Sequence, residues 1–204
     1  MDMTNPFSVW YDNPSHQGVR GSNYDEPPPS VFGALPVFSP NATNSPMLTY
    51  TFTSFNPSIL NCTILGPGNT PSFNVFTDPA MPGYTIFKTP DGKSFGLLEW
   101  SQASKVEIRG AVAKQLASQF LRRSTDCRFR VMQVGGQDYM LLSGPQGTVT
   151  LYPAGVNANN NSRVAQIKCR GPNVVLEIDQ NVARAGFLHA CIVATVLLYS
   201  GHTI

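Results

Sequence analysis

The stretch ARAGFLHACIVATVLLYSG, residues 183–201, decides the fold. From Gly186 to Tyr199 nearly every position is apolar, with neither the alternation of a strand nor the one-sided stripe of a surface helix. At 1.5 Å per residue, this segment makes a helix of about 21 Å, against roughly 30 Å for the hydrocarbon core of a bilayer. As a membrane anchor it is about six residues short. A helix that is apolar all round must be enclosed all round, and a flat sheet covers one side only. A sheet of about a dozen strands, closed on itself, has a lumen wide enough to hold a helix and leaves no exposed edges. The expected fold is therefore mainly β: a closed antiparallel barrel of about twelve strands enclosing a hydrophobic C-terminal α-helix.

The residues upstream supply the strands. From Met47 the pattern alternates: in LTYTFTSF, Leu48, Tyr50 and Phe52 interleave with Thr49, Thr51 and Thr53. Asn56-Pro57-Ser58 breaks the run, and ILNCTIL follows with Leu60, Cys62 and Ile64 on one face. Further strands are expected near 72–77, 84–89, 94–100 and 105–109, separated by the turn sequences GPGNTP, DPAMPG and TPDG. Residues 111–121 change period. Val112, Leu116 and Phe120 recur every four residues, which predicts a short amphipathic helix. Strands resume at 128–134 and 137–142 around the hairpin pair Gly135-Gly136, then at 147–152, 163–169 and 173–178. The sum is about eleven strands. The loop PAGVNANNNS is Asn-rich and expected to be exposed.

Residues 1–46 read differently. They hold eight of the 17 prolines, including Pro27-Pro28-Pro29, and carry four acidic residues (Asp2, Asp12, Asp25, Glu26) against Arg20. This predicts a Pro-rich flexible arm, made sticky by Phe7, Trp10, Tyr11 and Tyr24, ahead of a barrel domain at 47–204. Its start has no basic region followed by an apolar run, so no secretory signal is expected. The sequons at Asn41, Asn61 and Asn160 then read as chance matches. Cys62, Cys127, Cys169 and Cys191 are widely spaced, without a metal-binding pattern, and read as free thiols filling the core. Together these point to an intracellular protein, cytoplasmic or peripheral to a membrane.

The pieces FGLLEW (95–100), VEIRG, QDYMLL (137–142), TVTLYP (148–153), RVAQIK (163–168) and VVLEID, followed by an all-apolar terminal helix, resemble the tubby C-terminal-like superfamily. That group includes the phospholipid scramblases and the plant LURP-one-related proteins. The order and patterning over about residues 47–201 are most similar to an uncharacterised fungal domain family of that superfamily, and PSVFGALP upstream adds to the likeness. The resemblance implies a twelve-stranded barrel around a central helix and no particular activity. It implies no calcium dependence here, because the chain lacks clustered carboxylates in a calcium-loop order.

No catalytic signature is present. GxxxxGK[ST] is absent, no GxSxG stands at a strand-to-helix elbow, and no GxGxxG leads from a strand into a helix. His189 and Cys191, two apart on a helix, point to different faces and make a poor nucleophile–base pair. Glu99 beside Trp100 has no second acid positioned with it. The expectation is a non-enzymatic protein with no cofactor and no metal. The charge distribution offers one lead. The net charge of +2 divides unevenly, with eleven Lys or Arg against five Asp or Glu in residues 101–204. In RRSTDCRFR, Arg122, Arg123, Arg128 and Arg130 fall within nine residues, with Arg128 and Arg130 on one strand face. Guanidinium groups bind phosphate oxygens bidentately, so these four arginines are the candidate lipid- or anion-binding residues, and an anionic phospholipid or phosphoinositide is the expected partner. Two other readings stand beside it: an interaction scaffold recruiting a protein through residues 1–46, and a short tail-anchored membrane protein. Specific nucleic-acid binding is not expected, because total charge is low and no basic–aromatic motif recurs.

Overall fold

The computed structural model describes residues 46–156 and 162–203. The expected arm, apart from Pro46, lies outside the described residues, as do Asn41 and Asn160. The described chain forms thirteen strands: β1 Met47–Thr53, β2 Cys62–Leu65, β3 Pro71–Thr77, β4 Tyr84–Lys88, β5 Ser94–Glu99, β6 Lys105–Ile108, β7 Val112–Leu116, β8 Leu121–Arg123, β9 Phe129–Val134, β10 Gln137–Ser143, β11 Val149–Pro153, β12 Ala165–Arg170 and β13 Asn173–Asp179. There are two α-helices, the single turn α1 Ala117–Phe120 and the terminal α2 Ala185–Tyr199.

All strands belong to one sheet, in the order β7-β6-β5-β4-β3-β2-β1-β13-β12-β11-β10-β9-β8. Neighbours are hairpin-connected and antiparallel, except that β1 meets β13, pairing Leu48 with Ile178 and Phe52 with Val174. The two ends of the sheet are thus consecutive in the chain, and α1 links them. Among the described residues no ladder joins β7 to β8.

Alternation along each strand sends one set of side chains inward. Phe52, Ile64, Phe87, Leu98, Leu121, Met132, Leu151, Ile167, Leu176 and Ile178 are all fully buried. They meet α2, in which every residue from Ala190 to Leu197 is buried. That run covers more than two turns, so the whole circumference of the helix is in contact with protein. The contacts come from β5 and β6, from β13 and from β9, which stand far apart in the sheet order. A flat sheet cannot supply them, so the sheet bends round the helix. At Gly96 the wall comes close to the helix: a Cβ there would sit 3.4 Å from the Val193 side chain and 3.3 Å from the Phe87 ring. Inside the helix, Thr195 is buried with its Oγ1 donating to the Cys191 carbonyl at 2.7 Å, which satisfies its hydroxyl without a partner on the wall.

Two expectations need correction. The four-residue recurrence over 111–121 is not one helix. Val112–Leu116 pairs with β6 as strand β7, only Ala117–Phe120 turns helically, and Leu121 already belongs to β8. Pairing with β6 and β9 outweighed local propensity, and these two strands account for the difference between about eleven and thirteen. Nor are all four thiols core residues. Cys62 and Cys191 are buried, and burial pushes both thiols up and keeps them protonated, but Cys127 and Cys169 are exposed. The sequon residue Asn61 has a structural role, accepting the Thr77 N–H at 2.8 Å. No described helix is long and apolar enough to cross a membrane, and α2 buries Phe187, Leu188 and every residue from Ala190 to Leu197.

His189 lies half-buried on the first half of α2, stacked on Phe95 at 4.0 Å and edge-on to Phe73 at 5.7 Å.

Two outcomes follow for stability. Ala194→Asp places an uncompensated carboxylate at a fully buried position, at a cost of several kcal/mol against a total stability of about 5–15 kcal/mol. Circular dichroism should show no cooperative melt, and a melt like that of the parent overturns the enclosed-helix fold. Burial also holds the His189 pKa below its usual 6.5. The unfolded chain therefore takes up the proton more readily, and this contribution to stability is lost as pH falls below 6.5. The melting temperature of His189→Phe should fall less than that of the parent between pH 7 and 5.

Candidate anion-binding end of the sheet

The arginine-rich segment folds as the β8–β9 hairpin. Leu121 faces Met132, Arg122 faces Val131 and Arg123 faces Arg130 across the ladder. Leu121 and Met132 are fully buried and point to the core, so by the two-residue period Arg123 and Arg130 continue the inward face as the strands reach the rim. Two guanidinium groups directly opposite each other repel. Arg130 is partly buried, and its Nη1 donates to the Leu121 carbonyl at 2.9 Å. Burial and the neighbouring Arg123 charge both lower its pKa, in that order.

The connecting turn is held by its own polar groups. Ser124 Oγ donates to Asp126 Oδ1 at 2.6 Å, the Arg128 N–H donates to the same oxygen at 3.2 Å, and the Cys127 N–H donates to the Ser124 carbonyl at 3.0 Å. The Ser124 hydroxyl and the Arg128 N–H lower the Asp126 pKa, the hydroxyl more strongly. Cys127 takes φ 57°, the left-handed conformation that reverses the chain. Arg128 Nε lies 3.6 Å from Asp126 Oδ2, with both side chains well exposed, and such a solvent-screened pair contributes little to stability.

Arg123, Arg128 and Arg130 thereby line one hollow of about 330 Å³, together with Cys127, Phe129, Leu141, Ser143, Val149 and Leu198. Among the described residues, no carboxylate lines it. Leu198 belongs to the last turn of α2, whose unpaired carbonyls carry partial negative charge and favour cations beside them. The hollow is a cluster of guanidinium donors over an apolar floor, chemistry suited to a phosphate group.

Of the four arginines in the sequence cluster, the structure brings three together and separates the fourth. Arg122 alternates outward and lines a different hollow of about 490 Å³ with Gln115, Ser118, Gln119, Gln133 and Asp138. Arg128 lies in the bend just before β9, outside the strand expected from 128, and meets Arg130 at the hollow. The place of Arg122 was hidden because β8 is three residues long and follows a segment of helical period. Leu141, Ser143, Val149 and Leu198 come from β10, β11 and α2, and no local signal connects them to the arginines.

The other chemically suggestive residues have structural settings. Cys191 is fully buried in α2. Glu99 is ion-paired with Lys114, and Trp100 Nε1 donates to Thr85 Oγ1 at 2.7 Å. Among the described residues, no three His, Cys, Asp or Glu side chains come together to hold a metal ion.

No protein-family profile matches this chain, and no curated protein matches it. Among solved structures, an X-ray structure of a protein from Arabidopsis thaliana is similar at 12% identity, covering 76% of this chain and 89% of that one, with a TM-score of 0.43.

Proposed function

We infer that this chain is a non-enzymatic barrel of the tubby C-terminal-like kind that binds anionic phospholipid head groups, phosphoinositides among them, at a membrane surface. In this reading the sheet closes as a barrel through α1, which spans the gap between β7 and β8. The hollow of Arg123, Arg128 and Arg130 receives the head-group phosphates.

The observation that carries the reading is the Arg123–Arg130 cross-strand pair at the rim. Like charges placed opposite each other on one face cost stability, and among the described residues no carboxylate lines the hollow to offset them. A bound phosphate relieves the repulsion and uses the free guanidinium donors bidentately. Arg122 faces away and is outside the proposed site.

Flotation of the full chain with neutral and with phosphoinositide-containing vesicles, at low and physiological salt, tests this. The parent should float with the anionic vesicles alone, more weakly as salt rises. At about 1 kcal/mol per basic residue near an anionic surface, the Arg123→Ala/Arg130→Ala double variant should bind roughly thirtyfold more weakly. Arg122→Ala should stay within a few-fold of the parent. Failure of the parent to float, or a loss in Arg122→Ala equal to that of the double variant, overturns the assignment.

A further inference from the structure

Resting on the head-group reading above, we propose that the β3–β4 turn, Asp78–Gly83, inserts Met81 into the bilayer while the arginine hollow holds the head groups. The turn is well built. The Met81 N–H donates to the Asp78 carbonyl at 2.9 Å, the Ala80 N–H to Asp78 Oδ1 at 2.8 Å, and the Tyr84 N–H to the Met81 carbonyl at 3.2 Å. Yet Met81 is 55% exposed; Tyr84 at the start of β4 is 44% exposed, and Phe76 on β3 is 43% exposed with the Lys88 ammonium 5.5 Å from its ring centre. These are three of the four large hydrophobic side chains that stand exposed among the described residues. Residues 79–87 carry no charged side chain, and Pro79 and Pro82 bracket the tip. An apolar cluster held out at the tip of a fixed turn marks an interaction surface.

The occupant follows from what shares that end of the molecule. Leu198 of α2 lines the arginine hollow. Four residues on, His202 stacks on Trp100 at 4.1 Å, and the Trp100 backbone N–H donates to the Gly83 carbonyl at 2.8 Å. The C-terminal end of α2 therefore connects the basic hollow to the apolar turn, and both face the same way. A protein groove matches one chemistry at one place. A bilayer with anionic head groups presents phosphate and hydrocarbon side by side over the whole width of a protein, and tyrosine suits the boundary between them. The surface on which Arg123 and Arg130 bind phosphate is then the surface that Met81 enters.

The test uses the full chain in three forms (parent, Met81→Asp and Arg123→Ala/Arg130→Ala) with two probes: phosphoinositide-containing vesicles and the soluble inositol phosphate head group. Met81→Asp should weaken vesicle binding at least tenfold and leave binding of the soluble head group unchanged, whereas the arginine variant should lose both. Met81→Trp adds a fluorophore whose emission should be quenched by lipids brominated on the acyl chains, beyond any quenching of the parent. Unchanged vesicle binding by Met81→Asp, or no added quenching in Met81→Trp, overturns the insertion and leaves the head-group site standing. A parent that binds neither probe overturns the head-group site itself.

Discussion

Eight consecutive buried residues on α2, Ala190 to Leu197, impose the constraint on which the rest of the structure depends. An apolar helix with no polar face has to be surrounded, and the chain does this with strands short enough to bend and numerous enough to reach round it. The small residues on the contact follow from the same demand. Gly96 lets β5 approach Val193, and Ala190 and Ala194 are fully buried on the helix. The polar groups carried inside are satisfied locally, Thr195 by its own helix and Thr85 by Thr77 and Trp100.

Enclosure also sets the chemistry of the two ends. Inward-facing positions are apolar along the helix and lose that requirement where it stops. At the C-terminal end of α2, the inward period of β8 and β9 continues past Leu121 and Met132 into Arg123 and Arg130. The cations that an alternating strand cannot place in the core appear at its mouth, over a floor formed by Leu141, Val149 and Leu198. A basic hollow at a rim is thus a natural product of this architecture.

The seam between β7 and β8 is where local pattern and tertiary structure disagree most. Val112, Leu116 and Phe120 have helical spacing, but Val112 faces Ile108 as part of a strand and Phe120 is buried from a single helical turn. Apolar residues four apart satisfy either arrangement when a strand is followed by a tight turn, and the neighbouring strands choose between them.

The sequence by itself determined much of the scaffold. The uniform apolarity of 186–199 required an enclosing wall, alternation marked the strands from β1 to β6 and from β9 to β13, and Gly135-Gly136 marked their central hairpin. These features depend on composition and period, which are local. Tertiary structure alone decided the pairing of β1 with β13, the fate of residues 111–121, and the division of the arginines into three that converge and one that faces away. It also brought the Met81 turn at 78–83 to the same end as guanidinium groups some fifty residues further along the chain. Each of these is a relation between distant segments, set by the register of antiparallel neighbours around a buried helix, and a register of that kind leaves no trace in any one stretch of residues.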